Sequence, residues 1–412
     1  MTDQPTPHPR RPSPFLALQH RDFRLLWAGQ FIAEAGVQMQ LVAINWHIYI
    51  LTGSALALGL IGLMRAVPIV FSSLLGGVLA DTHDRRRVLL AAQAVSMVMA
   101  VALGLLTQSG WISTGLIYLL AALAAGAVGF GGPVWQAIAP NLVSREHLTN
   151  AMSLINIMRQ TARIVGPGLA GFVIAWRGVV AVYWINAASF LAVLLAFGLM
   201  RAPAQENLGA ARLALSSIGE GIRFVRNTQI LFSTMLLDFL GTFFASASAL
   251  LPIFANEILK VGPRGLGMLY SAQSVGAVLA ATAMSFVGDV RKKGALVLWA
   301  ILIYAVATAL FGASRSFSLS LVCLALVGAG DTVSTILRHT IRQLVTPDHV
   351  RGRMNSVIMI FTQGGPQLGN LEAGLVATWI GAPLAVFTGG IATILLVVAV
   401  AWRLPQLRNY RG

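Results

Sequence analysis

Apolar residues along this chain come in runs long enough to cross a bilayer, separated by short polar turns. A helix needs about 20 consecutive, mostly apolar residues to span the hydrocarbon core. Twelve stretches qualify: 26–51, 57–80, 88–107, 113–138, 150–175, 179–200, 229–255, 265–288, 294–313, 317–341, 354–376 and 381–402. Lipid offers no partner to free backbone groups, so each crossing is predicted to be helical. The longest connection, 201–228, divides the spans into two sets of six. The predicted organisation is a segment at 1–25, a six-helix bundle at 26–200, a linker at 201–228, a second six-helix bundle at 229–403 and a tail at 404–412. In the linker, Ser217-Ile218-Gly219-Glu220 reads as a capping box, and Ile218, Ile222 and Val225 share a face. That pattern predicts a short amphipathic helix on the membrane surface, with a solvated linker helix as the alternative.

Composition agrees. Of 412 residues, 57% are hydrophobic and only 10% charged, against about 25% charged in a soluble domain. Mean hydropathy is +0.76. The formal net charge of +15 does not indicate nucleic-acid binding, because the basic residues form short clusters between apolar runs rather than a stripe on a soluble module. Their distribution sets an orientation instead. With the N-terminus in the cytoplasm, the outer loops hold only Arg177, Lys260, Arg264 and Arg315, and Arg65, Arg159 and Arg163 fall inside spans. The remaining Lys and Arg residues, Arg338 and Arg342 among them, fall on the cytoplasmic side. Both termini are expected there, in the inner cell membrane. The Pro-rich first 20 residues have no signal-peptide pattern, and Cys323 is the single cysteine, so no intramolecular disulfide or Cys-based metal site is expected.

The two sets of spans repeat each other. Leu142-Val143-Ser144-Arg145-Glu146-His147-Leu148 matches Leu344-Val345-Thr346-Pro347-Asp348-His349-Val350, and Gly166 and Gly171 fall on Gly369 and Gly374. Leu58-Gly59 matches Leu266-Gly267, at the same distance before Asp81 and Asp289. Such parallel halves place a binding site near the bilayer midplane, between them.

The run Gly77-Val78-Leu79-Ala80-Asp81-Thr82-His83-Asp84-Arg85-Arg86-Arg87 resembles the loop signature of the major facilitator superfamily, with Asp84 where a glycine is usual. Arg21-Asp22-Phe23-Arg24, Thr346-Pro347-Asp348 with Arg351-Gly352-Arg353, and Leu368-Gly369-Asn370-Leu371-Glu372-Ala373-Gly374 resemble the branch of siderophore and multidrug exporters that contains the enterobactin exporter. The resemblance runs from Arg21 to Leu407. It implies an all-α membrane fold of twelve helices in two pseudo-symmetric six-helix bundles, and a gate latch formed by Gly77, Asp81, Arg85 and Arg86. Gly166-Pro167-Gly168-Leu169-Ala170-Gly171 resembles the fifth-span antiporter motif, although close helix packing explains the same run.

Ionisable groups inside spans are costly and mark pathways or pairs. The acids there are Glu34, Asp238, Asp331 and Glu372. Gln30, Glu34, Gln38, Asn45 and Tyr49 share one face of span one, and Asp238, Thr242 and Ser246 form a similar line in span seven. The candidate substrate and proton-coupling residues are therefore Glu34, Gln38, Asn45, Arg65, Arg163, Asp238, Asp331 and Glu372. Two readings stand. In one, acids exchange protons while arginines bind solute or tune the acids. In the other, Glu34 with Arg163 and Asp331 with Arg338 are structural pairs, the second needing a partner from another helix. Arg159 reads as an anchor near the inner surface. Trp27, Trp111, Trp176 and Trp402 read as interface anchors, and Trp46 and Trp135 as cavity-lining or buried.

The leading expectation is a proton-coupled secondary transporter, by resemblance an exporter of siderophore- or drug-like solutes, working by alternating access as a monomer. Its partners are a small-molecule substrate, protons and the lipid bilayer. No cofactor or metal is expected, and no nucleotide-binding run occurs. No His/Asp/Glu constellation marks an enzyme. A lipid or lysolipid translocator and a non-transporting sensor or scaffold are the alternatives.

Overall fold

The computed structural model describes residues 15–82, 84–138, 142–201, 223, 225–226, 228–288, 290–346 and 351–410. The described residues form helices and no strand. We number the crossings α1 (Arg21–Thr52), α2 (Ala55–Thr82), α3 (Arg85–Gln108) and α4 (Thr114–Ile138). A long helix, Leu148–Leu199, breaks at Gly178, where φ 78 and ψ 178 suit only glycine. Its arms are α5 (148–177) and α6 (179–199). There follow α7 (Gln229–Ile258), α8 (Gly262–Phe286), α9 (Lys293–Ala313), α10 (Phe317–Val345), α11 (Arg351–Ile380) and α12 (Ala382–Arg403). Nine helices among the described residues are long and apolar enough to cross a membrane, and one of these contains both α5 and α6. Helices α1 and α11, rich in polar residues, complete the twelve. The linker's capping box and amphipathic face lie largely outside the described residues, as do Asp289 and the Pro347-Asp348 step.

The chain ends its helices where the sequence supplies a reason. Gly53, at φ 58, caps α1 by donating its N–H to the Tyr49 carbonyl. Gly381, at φ 81, separates α11 from α12 at the repeat position of Gly178. Asp84 is the N-cap of α3, its carboxylate accepting from the Arg86 N–H at 2.8 Å and the Arg87 N–H at 3.4 Å. An acid replaces the usual glycine in this loop because it satisfies the free donors of the helix start.

Packing repeats as the sequence does. In the first set Gly36 of α1 meets α6, Gly166 of α5 meets α1, and Gly129 of α4 meets α2. In the second set Gly365 and Gly369 of α11 meet α7, Gly328 of α10 meets α8, and Gly390 of α12 meets α9. A side chain at Gly276 or Gly328 would overlap the facing backbone, so α8 and α10 are in direct main-chain contact. Outward-facing apolar residues such as Phe71, Leu195, Leu279 and Leu395 are exposed, as a lipid-facing surface requires. Trp111, Trp176, Trp379 and Trp402 are exposed near helix ends, the interface position. Trp27 departs from that expectation: its indole N–H donates to the Leu154 carbonyl at 3.0 Å, joining α1 to α5.

Among the described residues, the six-helix sets share a core at one end. A continuous apolar core there draws from both, including Ile48, Leu58, Ile174 and Tyr183 with Leu251, Phe254, Leu266 and Val386. At the opposite end, the one carrying the α2–α3 and α8–α9 basic loops, each set has a core of its own. Phe23, Leu89, Trp135, Leu154 and Phe197 make one, and Leu237, Val297, Leu337, Val400 and Leu407 the other. We call these the far end and the basic end.

Two contacts seal the far end, and the sequence repeat relates them. Gly59 of α2 lies on Gly374 of α11, and Gly171 of α5 lies on Gly267 of α8. Gly59 and Gly267 are repeat equivalents, as are Gly171 and Gly374. A Cβ at Gly171 would stand 2.5 Å from the Pro263 carbonyl oxygen and 3.0 Å from the Gly267 Cα. One at Gly374 would stand 2.7 Å from the Ala55 carbonyl oxygen and 3.1 Å from the Gly59 Cα.

Candidate functional site

The polar stripe of α1 divides at mid-helix. Toward the basic end, Gln30, Glu34 and Gln38 line a cavity of about 390 Å³. Arg65 of α2, Gln93 and Ser96 of α3, Trp135 of α4, Arg159 and Arg163 of α5 and Phe190 of α6 face the same space. Every described lining residue comes from the first six helices. Glu34 accepts from Gln38 Nε2 at 3.0 Å, a bond along its own helix. Glu34 and Arg163 share the cavity, but no ion pair joins them among the described residues, so the expected structural pair is not formed. Arg159, read as an anchor, lines the cavity too.

Toward the far end the same stripe closes the molecule. Asn45 Nδ2 donates to the Tyr270 hydroxyl of α8 at 3.0 Å, and that hydroxyl donates to the Ser248 carbonyl at 2.9 Å. The Tyr49 hydroxyl donates to Glu257 Oε1 and accepts from Asn256 Nδ2, both at 2.9 Å. Asn256 and Glu257 lie in a π-helical turn, Phe254–Ile258, which turns both toward α1. Tyr49→Phe removes both bonds of this latch, whose partners Asn256 and Glu257 are exposed, and is expected to weaken far-end closure by about 1 kcal/mol. Faster labelling of a far-end reporter cysteine, with an unchanged melting midpoint, checks this.

The second six helices hold a different arrangement. Asp238 of α7 is buried between two arginines of α10. Its Oδ1 lies 3.0 Å from Arg338 Nη1 and its Oδ2 2.9 Å from Arg342 Nη2. Thr362 also donates to Oδ2, at 3.5 Å, and Arg338 Nη2 donates to Thr335 at 3.0 Å. Arg338 and Arg342, counted on the cytoplasmic side by the charge pattern, are buried within α10. Both guanidiniums of this helix bond the one carboxylate of Asp238. Arg338 takes Asp238 rather than Asp331 as its acid, so the expected Asp331–Arg338 structural pair is not formed among the described residues. Asp331 itself faces a cavity of about 120 Å³ with Thr242, Ser246, Gln273 and Tyr304. A smaller space beside it brings Asp331 near Asp238, Ser334 and Arg338.

Of the residues expected to form the gate latch, Arg86 Nη2 donates to the Phe197 carbonyl at 2.5 Å, binding the carbonyl end of α6. Gly77 and Asp81 fall in the last turns of α2, and their side chains are outside the described residues. Glu372 is half-buried on α11, two residues before Gly374. Trp46 is buried in the far-end core, whereas Trp135 lines the cavity. The sequence reading missed Gln93, Ser96, Tyr270, Asn256 and Glu257. Single polar residues on apolar helices carry no periodic signal, and only the helix above each gives it a partner.

Two matching sets of six helices, sealed at one end around charged cavities, define a membrane transporter of major facilitator architecture. The chain belongs to the transmembrane secretion effector family of that superfamily, whose sequence profile matches residues 12–411. It is 27% identical over 393 residues to the enterobactin exporter of Escherichia coli strain K12, covering 95% of this chain and 94% of that one. The enterobactin exporter of Shigella boydii serotype 18 matches at the same identity and coverage. Among solved structures, a nucleoside transporter superposes with a TM-score of 0.72 at 15% identity, over 93% of this chain and 98% of that chain. A bacterial homologue of the iron transporter ferroportin, in its inward-facing state, superposes with a TM-score of 0.67 at 16% identity, over 93% and 98% of the two chains.

Proposed function

We propose that this protein is a proton-coupled exporter of small siderophore- or drug-like organic solutes, working by alternating access in the inner cell membrane as a monomer. Both termini and the basic loops then lie in the cytoplasm, and the conformation described above is the one open to the cytoplasm. One observation carries the reading: among the described residues the six-helix sets share a core at the far end and have separate cores at the basic end, with the 390 Å³ cavity at mid-depth. An exporter loads its solute in that state. The relatives that are enterobactin exporters support the direction and the kind of cargo.

The two sets divide the work in this reading. Glu34, Gln38, Arg65 and Arg163 contact solute in the first, and Asn45 closes the cavity on its far side. Asp331 exchanges the proton in the second, facing Asp238, Arg338 and Tyr304, with Glu372 as a further acid on α11. Asp238 holds Arg338 and Arg342 in place beside Asp331. Gly77, Asp81, Arg85 and Arg86 form the latch at the basic end. Proton movement through Asp331 predicts that Asp331→Asn abolishes solute accumulation driven by an imposed pH gradient in proteoliposomes, while solute exchange at equal pH persists. Full gradient-driven accumulation by Asp331→Asn would remove it from the coupling path.

A further inference from the structure

Arginine cannot lose its proton inside a protein, so a guanidinium within a membrane-spanning bundle needs an acid, a carbonyl or a bound anion. The arginines of this protein meet that need in two different ways. Arg338 and Arg342 are buried and share Asp238, and Arg86 binds a helix-end carbonyl. Arg65, Arg159 and Arg163 have no hydrogen-bond or ion-pair partner among the described residues, and all three face the same cavity. Glu34 is the single acid among the described lining residues, and it is engaged by Gln38. Three guanidiniums against one carboxylate give the described lining a net positive charge.

The guanidiniums come from two helices on different sides of the cavity, Arg65 from α2 and Arg159 and Arg163 from α5. Arg159 and Arg163 are one turn apart, so both forks reach the same side. Gln30, Gln38, Gln93 and Ser96 add neutral hydrogen-bonding groups, and Trp135 and Phe190 give apolar faces. The volume lies within the range of small-molecule sites, about 300–1,000 Å³.

We infer that the cavity of the first six helices is an anion site, and that the solute this protein carries is an organic anion with an apolar or aromatic body, held through its acidic group by Arg65 and Arg163. This inference rests on the export reading and narrows it. Guanidinium forks bind carboxylates in two-point fashion, while the aromatic walls cover the body. A cationic solute meets uncompensated positive charge here and is rejected.

The test is calorimetric binding to the purified full-length protein in detergent, using three solutes of one shape: 1-naphthoate, 1-naphthamide and 1-naphthylmethylammonium. The expected result is that naphthoate binds at least tenfold more tightly than the other two. Arg65→Gln and Arg163→Gln should each weaken naphthoate at least tenfold, and Arg177→Gln, at an outer loop, should not. Inorganic sulfate should displace naphthoate from the unmodified protein, a readout that stands even where a variant fails to fold. Equal or tighter binding of the amide or the ammonium, no binding of naphthoate, unchanged affinity in both arginine variants, or no displacement by sulfate overturns the anion site. Anion binding without gradient-driven export in vesicles would leave the site standing and remove the export reading instead.

Discussion

Asp238→Asn is expected to lower the stability of the folded protein by about 3–5 kcal/mol, the cost of breaking a buried ion pair from one side. The carboxylate is the shared counter-charge of Arg338 and Arg342, with side-chain exposures of 8%, 3% and 6%. An amide keeps the shape but leaves two guanidiniums unbalanced, and neither can release its proton. Removing all three charges together, as Asp238→Leu with Arg338→Met and Arg342→Met, should recover most of the loss, because an apolar cluster of similar volume carries no desolvation cost. Melting midpoints in detergent for the single and triple variants check both statements. A single variant melting with the unmodified protein would mean that water or another group balances the arginines. The comparison also separates stability from transport: the triple variant should fold, yet lose the arrangement around Asp331.

Gly171→Val combined with Gly374→Val is expected to force the far end open. Each added side chain enters a space where even a Cβ would stand 3.0 or 3.1 Å from the facing glycine Cα and closer still to a carbonyl oxygen. Overpacking costs about 1–3 kcal/mol per site, and about 1.4 kcal/mol moves an equilibrium tenfold. The two sites are related by the repeat and both belong to the closed far end, so their effects fall on the same conformation. With Cys323→Ser as background and a reporter cysteine at Leu259, labelling from the far side should rise at least tenfold, and solute transport should fall by a similar factor. Labelling that stays at the unmodified level would show that these glycines pack helices without closing a gate. Gly53→Ala serves as the contrast, since a Cβ there meets nothing within 4 Å and only the φ of 58 is strained.

Much of the architecture was legible before any coordinates. The run lengths of apolar residues locate the crossings, because a bilayer of fixed thickness demands helices of fixed length. Glycine pairs such as Gly59 with Gly267 and Gly171 with Gly374 show the repeat. The charge pattern counted Arg338 and Arg342 on the cytoplasmic side but gave no sign that they are buried. A count of basic residues near a span end does not distinguish a loop arginine from one that continues the helix beneath a distant acid.

The candidate site was legible in part. The face shared by Gln30, Glu34 and Gln38 follows from helical geometry, since residues four apart lie one above another. Asn45 and Tyr49 extend that face in sequence, but in space they meet Tyr270, Asn256 and Glu257 of the other six helices. The sequence by itself determined twelve helices, their pairing into two sets and the polar stripe on α1, because length, periodicity and repetition are local properties of the chain. Only the tertiary structure decided which charges are paired. Whether Asp238 reaches Arg338 and Arg342, and whether Glu34 reaches Arg163, depends on contacts between helices far apart in the chain. A buried charge is settled by the nearest opposite charge in space, whatever their separation in sequence.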